Sequence, residues 1–155
     1  MKTKTILFAL AALLVATTVC VAADDVMMGT WKLNESKSTI AAGGAKNTTV
    51  VYAAAGDSIK VTVDGVDAAG NPTHSEWTGK FDGNDYAITG DPAADTRAYT
   101  RIDDHTLSLT EKKSGVAVET GHVIVSPDGM TRTLIINARA ANGNIINSTM
   151  VYDKQ

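Results

Sequence analysis

Three histidines are the residues of this chain best suited to acid–base or metal chemistry, and their spacing limits what they could do. His74, His105 and His122 form no H-x-H or H-E-x-x-H pattern, so a metal site would need side chains that converge only in the folded chain. His122 shares the alternation of Val118 and Ile124, which predicts an imidazole on an apolar strand face. There it could ligate a metal or haem or donate to a ligand, or simply be a partly buried histidine.

Arginines on two predicted strands could bind an anion. Arg132 alternates in step with Leu134, so its guanidinium could point inward as an anion clamp, although a position near a strand end also allows it to reach solvent. Arg97 and Arg101 flank a tyrosine on one strand face. With Glu111 on the next strand, an exposed ladder of opposite charges is the expected arrangement.

The sequence carries none of the familiar catalytic motifs around these residues. It contains no G-x-S-x-G elbow, Gly-rich phosphate loop, Ser-x-x-Lys pair or EF-hand loop. Its carboxylates cluster at turns, as at Asp91, Asp95 and Asp103, where capping of the turn explains them better than paired acid–base chemistry does. We therefore expect a protein that is not an enzyme and that uses no metal or cofactor.

The N-terminus predicts export. Lys2 and Lys4 precede an apolar run, and the small residues 21–23 form a cleavage site, so residues 1–23 are expected to be a cleavable signal peptide. A transmembrane anchor and a lipid anchor on Cys20 are alternatives, but two aspartates follow the apolar run at once. The domain at 24–155 would then be secreted or periplasmic, monomeric and without a membrane span.

Composition narrows the function of that domain. Signal cleavage would remove two of the 14 basic residues and none of the 17 acidic ones, which disfavours a nucleic-acid partner. It would also remove Cys20, the single cysteine, which excludes disulfides, a cysteine nucleophile and zinc–thiolate sites. Residues 24–155 hold 36 β-branched residues against four leucines, which predicts an all-β fold.

Alternating apolar and polar residues separated by turn sequences predict ten antiparallel strands. Turn residues such as Asp64-Gly65, Ser114-Gly115 and Asn142-Gly143 recur every eight to twelve positions. The predicted strands lie near 29–33, 46–54, 58–65, 73–80, 85–89, 96–102, 105–112, 116–125, 130–138 and 145–153. Short connections make the chain an up-and-down meander, and pairing its first strand with its last would close an eight- to ten-stranded barrel. The longest connection, 34–45, could hold one helical turn capped by Asn34 or Ser36, or form an open flap.

Both ends of the predicted barrel resemble the calycins, the superfamily of lipocalins and fatty-acid-binding proteins. The sequence G-T-W-K-L at 29–33 is similar to their first strand, with Trp31 at the closed end of the barrel, and T-M-V-Y-D-K at 149–154 is similar to their last. The resemblance implies that Tyr152 and Met150 face the lumen. The Arg-x-Tyr that grips a ligand carboxylate in fatty-acid-binding proteins is Met-x-Tyr here, so Arg132 is the candidate substitute.

The scarcity of bulky side chains predicts space inside such a barrel. Residues 24–155 contain one Phe, two Trp, four Tyr and four Leu, too few to fill a lumen of this width. A carrier of a small apolar or amphipathic molecule is the leading hypothesis, with Tyr152, Met150, Arg132, His122 and Trp77 as ligand-binding residues. The alternatives are collapse into a flattened sandwich, and an exported interaction module or inhibitor with a filled core.

Overall fold

The computed structural model describes residues 25–42, 44–139 and 143–155 of the chain. The predicted signal peptide and Cys20 therefore lie outside the described residues. Ten antiparallel strands make up about two thirds of the described part. They are β1 (Gly29–Leu33), β2 (Lys46–Ala55), β3 (Ser58–Val66), β4 (Pro72–Gly79), β5 (Tyr86–Thr89), β6 (Thr96–Asp103), β7 (Thr106–Lys113), β8 (Val116–Val125), β9 (Thr131–Arg139) and β10 (Ile145–Lys154).

The strands form a meander that closes into a barrel. Each strand pairs with its neighbours in sequence, and β1 completes the ring by pairing with both β2 and β10. Trp31 lies opposite Val50 on one side and Lys154 on the other. The all-β meander and its closure are thus confirmed, and each predicted strand bound lies within one residue of the observed one. A flattened sandwich is excluded because the ring has no open edge.

Local sequence explains these strands. In β3, Val61 and Val63 are buried while the intervening Thr62 faces outward, so a single alternation supplies one inner and one outer face. Between β7 and β8, Ser114 and Gly115 both have positive φ, at 50° and 78°. Two such residues form the tight turn that matches the twist of a hairpin.

The 34–45 connection holds a single helical turn, which is one of the two arrangements that the sequence allowed. Glu35–Lys37 is a 3-10 turn, and the Asn34 side chain caps it by accepting from the Lys37 backbone N–H at 3.3 Å. The chain beyond it is tied to β10, because the Ala41 backbone N–H donates to the buried Ser148 hydroxyl at 3.0 Å. Gly43 lies outside the described residues.

Aromatic side chains fill much of the barrel interior. The Trp77 ring lies 5.0 Å from that of Tyr99, 5.7 Å from Tyr86 and 6.4 Å from Phe81. Trp31 is completely buried, and its indole N–H donates to the Met27 backbone carbonyl at 3.0 Å. The rings around Trp77 therefore form one aromatic cluster in the lumen. No helix in the described ranges has the length and apolar content needed to cross a membrane.

Candidate ligand cavity

A cavity of about 170 Å³ remains inside the barrel beside the aromatic residues. Along β7 the inward side chains are Leu107, Leu109 and then Glu111, and the cavity lies at the end that Glu111 reaches. Its wall also includes Ala45 and Ala93, which are exposed, so the cavity opens to solvent between the start of β2 and the loop before β6. Its remaining lining residues are Asn47, Val50, Val63, Asp91, Arg97, Tyr99, Glu119, Arg132 and Leu134.

Arg132 enters this cavity with an incompletely paired guanidinium. It is the second residue of β9, opposite Tyr152 on β10, and only 2% of it is exposed. Its Nη2 donates to the Tyr52 hydroxyl at 3.1 Å, and its Cζ lies 4.7 Å from the centre of the Tyr152 ring and 5.4 Å from that of Tyr52. Nε and Nη1 have no hydrogen-bond partner among the described residues. A buried N–H without an acceptor costs about 1–3 kcal/mol.

The other arginine of the cavity is fully paired. Arg97 and Glu111 are 6% and 5% exposed, and Arg97 donates to Glu111 Oε1 from Nε at 2.6 Å and from Nη2 at 2.5 Å. The backbone carbonyl of Arg97 also accepts from the Trp77 indole N–H at 2.8 Å. These contacts hold the ion pair in one wall of the cavity, so Glu111 has little capacity left for a ligand.

Glu119 places a second carboxyl group in the same space. It lies directly opposite Glu111 in the β7–β8 ladder and lines the cavity. No group within the described ranges hydrogen-bonds its carboxyl oxygens. Burial raises the pKa of Glu119 to about 8, with a further upward contribution from Glu111 and a small one from Asp91, while Arg97 opposes the shift. Glu119 is partly buried, and its raised pKa favours the protonated carboxyl group at neutral pH.

Four of the five residues predicted to bind a ligand have their side chains inside the barrel, but they do not form one site. Arg132 alone lines the cavity. Met150, Tyr152 and Trp77 are buried beside it as packing, and the Tyr152 hydroxyl donates to the Met150 sulfur at 3.5 Å. Whether these residues bind a ligand stays a prediction.

The fifth residue, His122, lies on the outer face, and its predicted inward position is wrong. His122 is exposed, between the buried Gly121 and Val123. Ile124, one of the two apolar residues that suggested an inner face, is itself 39% exposed. The other, Val118, packs against the core but is the unpaired residue of a β-bulge, so it does not share a face with His122. An exposed imidazole at this position cannot contact a ligand in the lumen.

Sequence reasoning missed Arg97, Glu111 and Glu119 as cavity residues. The expected exposed ladder between Arg97 and Glu111 is a buried ion pair instead. Glu111 alternates in step with Leu107 and Leu109, and this pattern could have predicted that its side chain points into the barrel. The inward direction of Glu119 was not predicted because β8 contains a β-bulge. Glu111 pairs with residue 119 and the next residue of β7 pairs with 117, so residue 118 is unpaired and the inward-facing positions change from one set of alternate residues to the other.

No family model and no curated protein matches this chain. The closed antiparallel meander barrel is consistent with the resemblance to the calycins. Within the described residues, no three His, Asp or Glu side chains converge in a way that could hold a metal ion. The shape and the charges of the cavity are therefore the main indication of what this protein does.

Proposed function

We propose that this protein is an exported calycin-like carrier that binds a small amphipathic molecule in its barrel, with an anionic group of the ligand held by Arg132. The closed ten-stranded meander and the two terminal motifs support the calycin assignment. The charged and apolar segments of residues 1–23 support export to the periplasm or the medium. The mass of the mature protein recovered outside the cytoplasm tests the cleavage after residue 23.

The unpaired donors of Arg132 are the observation that carries the proposal. A buried positive charge is ordinarily matched by a carboxylate, as Arg97 is matched by Glu111. Arg132 has only the Tyr52 hydroxyl and two aromatic faces, while Nε and Nη1 lack acceptors. A carboxylate or similar group in the adjacent cavity would satisfy these donors and neutralise the charge.

The cavity limits the size of the buried part of the ligand. An apolar cavity of about 150 Å³ holds one benzene molecule, so about 170 Å³ accommodates a group of that size. A longer ligand would extend through the opening at Ala45 and Ala93. The apolar wall formed by Val50, Val63 and Leu134 would contact the body of the molecule. These features favour an amphipathic ligand over a purely apolar one.

Benzoate is a suitable first probe because it combines an aromatic ring with a carboxylate. We expect saturable one-to-one chemical-shift changes at cavity residues in a titration followed by ¹⁵N NMR, weaker binding of the neutral analogue benzamide, and loss of benzoate binding in Arg132→Met. Arg101→Met is the matched control, because Arg101 pairs with Asp25 outside the cavity.

Native mass spectrometry of the purified protein adds a test that does not depend on the choice of probe. A co-purifying small anion that is absent from Arg132→Met would support the proposal. If neither a bound molecule nor saturable binding of formate, acetate or benzoate is found, the carrier function is wrong and the alternative of an interaction module is favoured.

A further inference from the structure

Arg132 and Glu119 both line the cavity, both are incompletely paired by other protein groups, and they differ in chemistry. Arg97 and Glu111 satisfy each other, whereas Arg132 keeps two free N–H donor atoms, and the partly buried Glu119 makes no hydrogen bond or ion pair with a described residue. Arg132 and Glu119 do not form an ion pair with one another, although both line the same cavity. Since both side chains line this cavity of about 170 Å³, a ligand that fills it would lie against both.

The groups around Glu119 favour its protonated form. Glu111 faces it from β7 and Asp91 from the loop before β6, and both add negative charge. Arg97 on β6 is the opposing positive charge, but it is already bound to Glu111. Arg132 extends from β9 into the same cavity, and from β10 Tyr152 contributes a hydroxyl that stays neutral, since burial raises the pKa of Tyr152 to about 12. A protonated carboxyl group is a hydrogen-bond donor.

We infer that the protonated Glu119 donates a hydrogen bond to the same anionic group that Arg132 binds, so that the site selects compact organic monocarboxylates and releases them when Glu119 ionises. This inference rests on the proposed function. A carboxylate has two acceptor oxygens, which suits one charged donor and one neutral donor on separate walls. Ionised Glu119 would instead place a second negative charge beside the ligand, with no donor between them.

The pH dependence of benzoate binding tests this arrangement, because benzoate itself is ionised throughout the range used. If only the protonated form of Glu119 binds the anion, the apparent Kd for benzoate rises about tenfold between pH 7 and pH 9. Glu119→Gln, whose amide still donates, is expected to bind benzoate with a Kd that does not vary over this range. Binding of benzamide to the wild type should also be independent of pH.

A direct titration of the Glu119 carboxyl carbon by ¹³C NMR provides a second readout that does not require a ligand. We expect a midpoint near pH 8 that moves upward when benzoate is added, because an anion favours the protonated neighbour. A midpoint in the ordinary glutamate range, or a benzoate Kd that does not vary with pH, overturns the role of Glu119 and leaves the Arg132-dependent carrier intact. Absence of any anion binding overturns both proposals.

Discussion

Replacing Arg132 by methionine removes a buried positive charge and keeps a long, flexible side chain in its place. The same replacement at Arg97 offers a matched comparison, because both arginines are almost fully buried and line the same cavity. They differ in pairing: Arg97 has the carboxylate of Glu111, whereas Arg132 has one tyrosine hydroxyl and two free donor atoms. We expect the two variants to change stability in different ways.

The magnitudes follow from these contacts. Arg97→Met leaves Glu111 buried without its partner, and breaking a buried ion pair in this way costs about 3–5 kcal/mol. Arg132→Met loses a charged hydrogen bond of about 1.5–3 kcal/mol and a cation–π contact of up to ~2 kcal/mol with Tyr152. It also relieves the burial of an unmatched ion, which costs several kcal/mol, and of the two unpaired donor atoms. We therefore expect Arg132→Met to be as stable as the wild type, within about 1 kcal/mol, or more stable.

Urea denaturation followed by the fluorescence of Trp31 and Trp77 measures both variants, since both indoles are buried in the folded state. An unchanged dependence of the free energy on urea would show that the unfolding reaction is the same in each protein. The reasoning is refuted if Arg132→Met loses 3 kcal/mol or more in the absence of ligand. Such a loss would mean that the guanidinium serves the fold itself, and the cavity would not need an anion.

Three further outcomes are expected. Gly121→Ala should be strongly destabilising by urea denaturation, because an added Cβ would lie 2.2 Å from the Ile135 backbone oxygen, and an unaffected midpoint would contradict the β8–β9 packing. The Asp64 carboxylate accepts a hydrogen bond from the His74 ring and raises the pKa of this exposed histidine, so the small contribution of the pair to stability is present below about pH 6.5 and is lost as pH rises through the raised value. An NMR titration in which Asp64→Asn leaves the pKa of His74 unchanged would refute this. The pKa of Glu119 is raised to about 8, so the folded state binds this proton more tightly than the unfolded state does. The free energy of unfolding should therefore fall as pH rises from about 4.5 to 8. This contribution to the pH dependence of stability should be absent from Glu119→Gln.

The fold could be predicted because its signals are local. Alternation in β3 and the tight turn at Ser114-Gly115 each depend on a few neighbouring residues, and ten such units joined by short connections leave few topologies other than a meander. The capped turn after β1 was similarly visible, because Asn34 accepts from a backbone N–H only three residues away. Closure between β1 and β10 followed from avoiding two open edges.

The candidate site was less predictable, because alternation along a strand assigns residues to two opposite faces but does not show which face points into the barrel. For Arg97 and Glu111 the rule that charges face solvent was applied, and it fails where two charges satisfy each other in the interior. In β8 a β-bulge exchanges the inner and outer faces of the strand, so His122 lies outside and Glu119 lines the cavity. The residues around the bulge do not mark its position in this sequence. Only Arg132 was recognised as a possible inward-facing cation, and its burial depends on tertiary contacts with Tyr52 and Tyr152.

The distribution of bulky residues connects the fold to the proposed chemistry. Trp77, Tyr99 and Phe81 pack together on one side, so the limited aromatic volume of the chain is used there, and the space next to Glu111 is left to long charged side chains or to a ligand. An ion pair between Arg132 and Glu119, like the one between Arg97 and Glu111, would have left neither side chain unmatched in this space. They do not pair, and a cavity with one spare cation and one protonated acid is a poor solution for stability alone. It is a suitable one for binding an anion, and this is why the carrier hypothesis depends on Arg132 more than on the apolar lining, while the inferred pH dependence depends on Glu119.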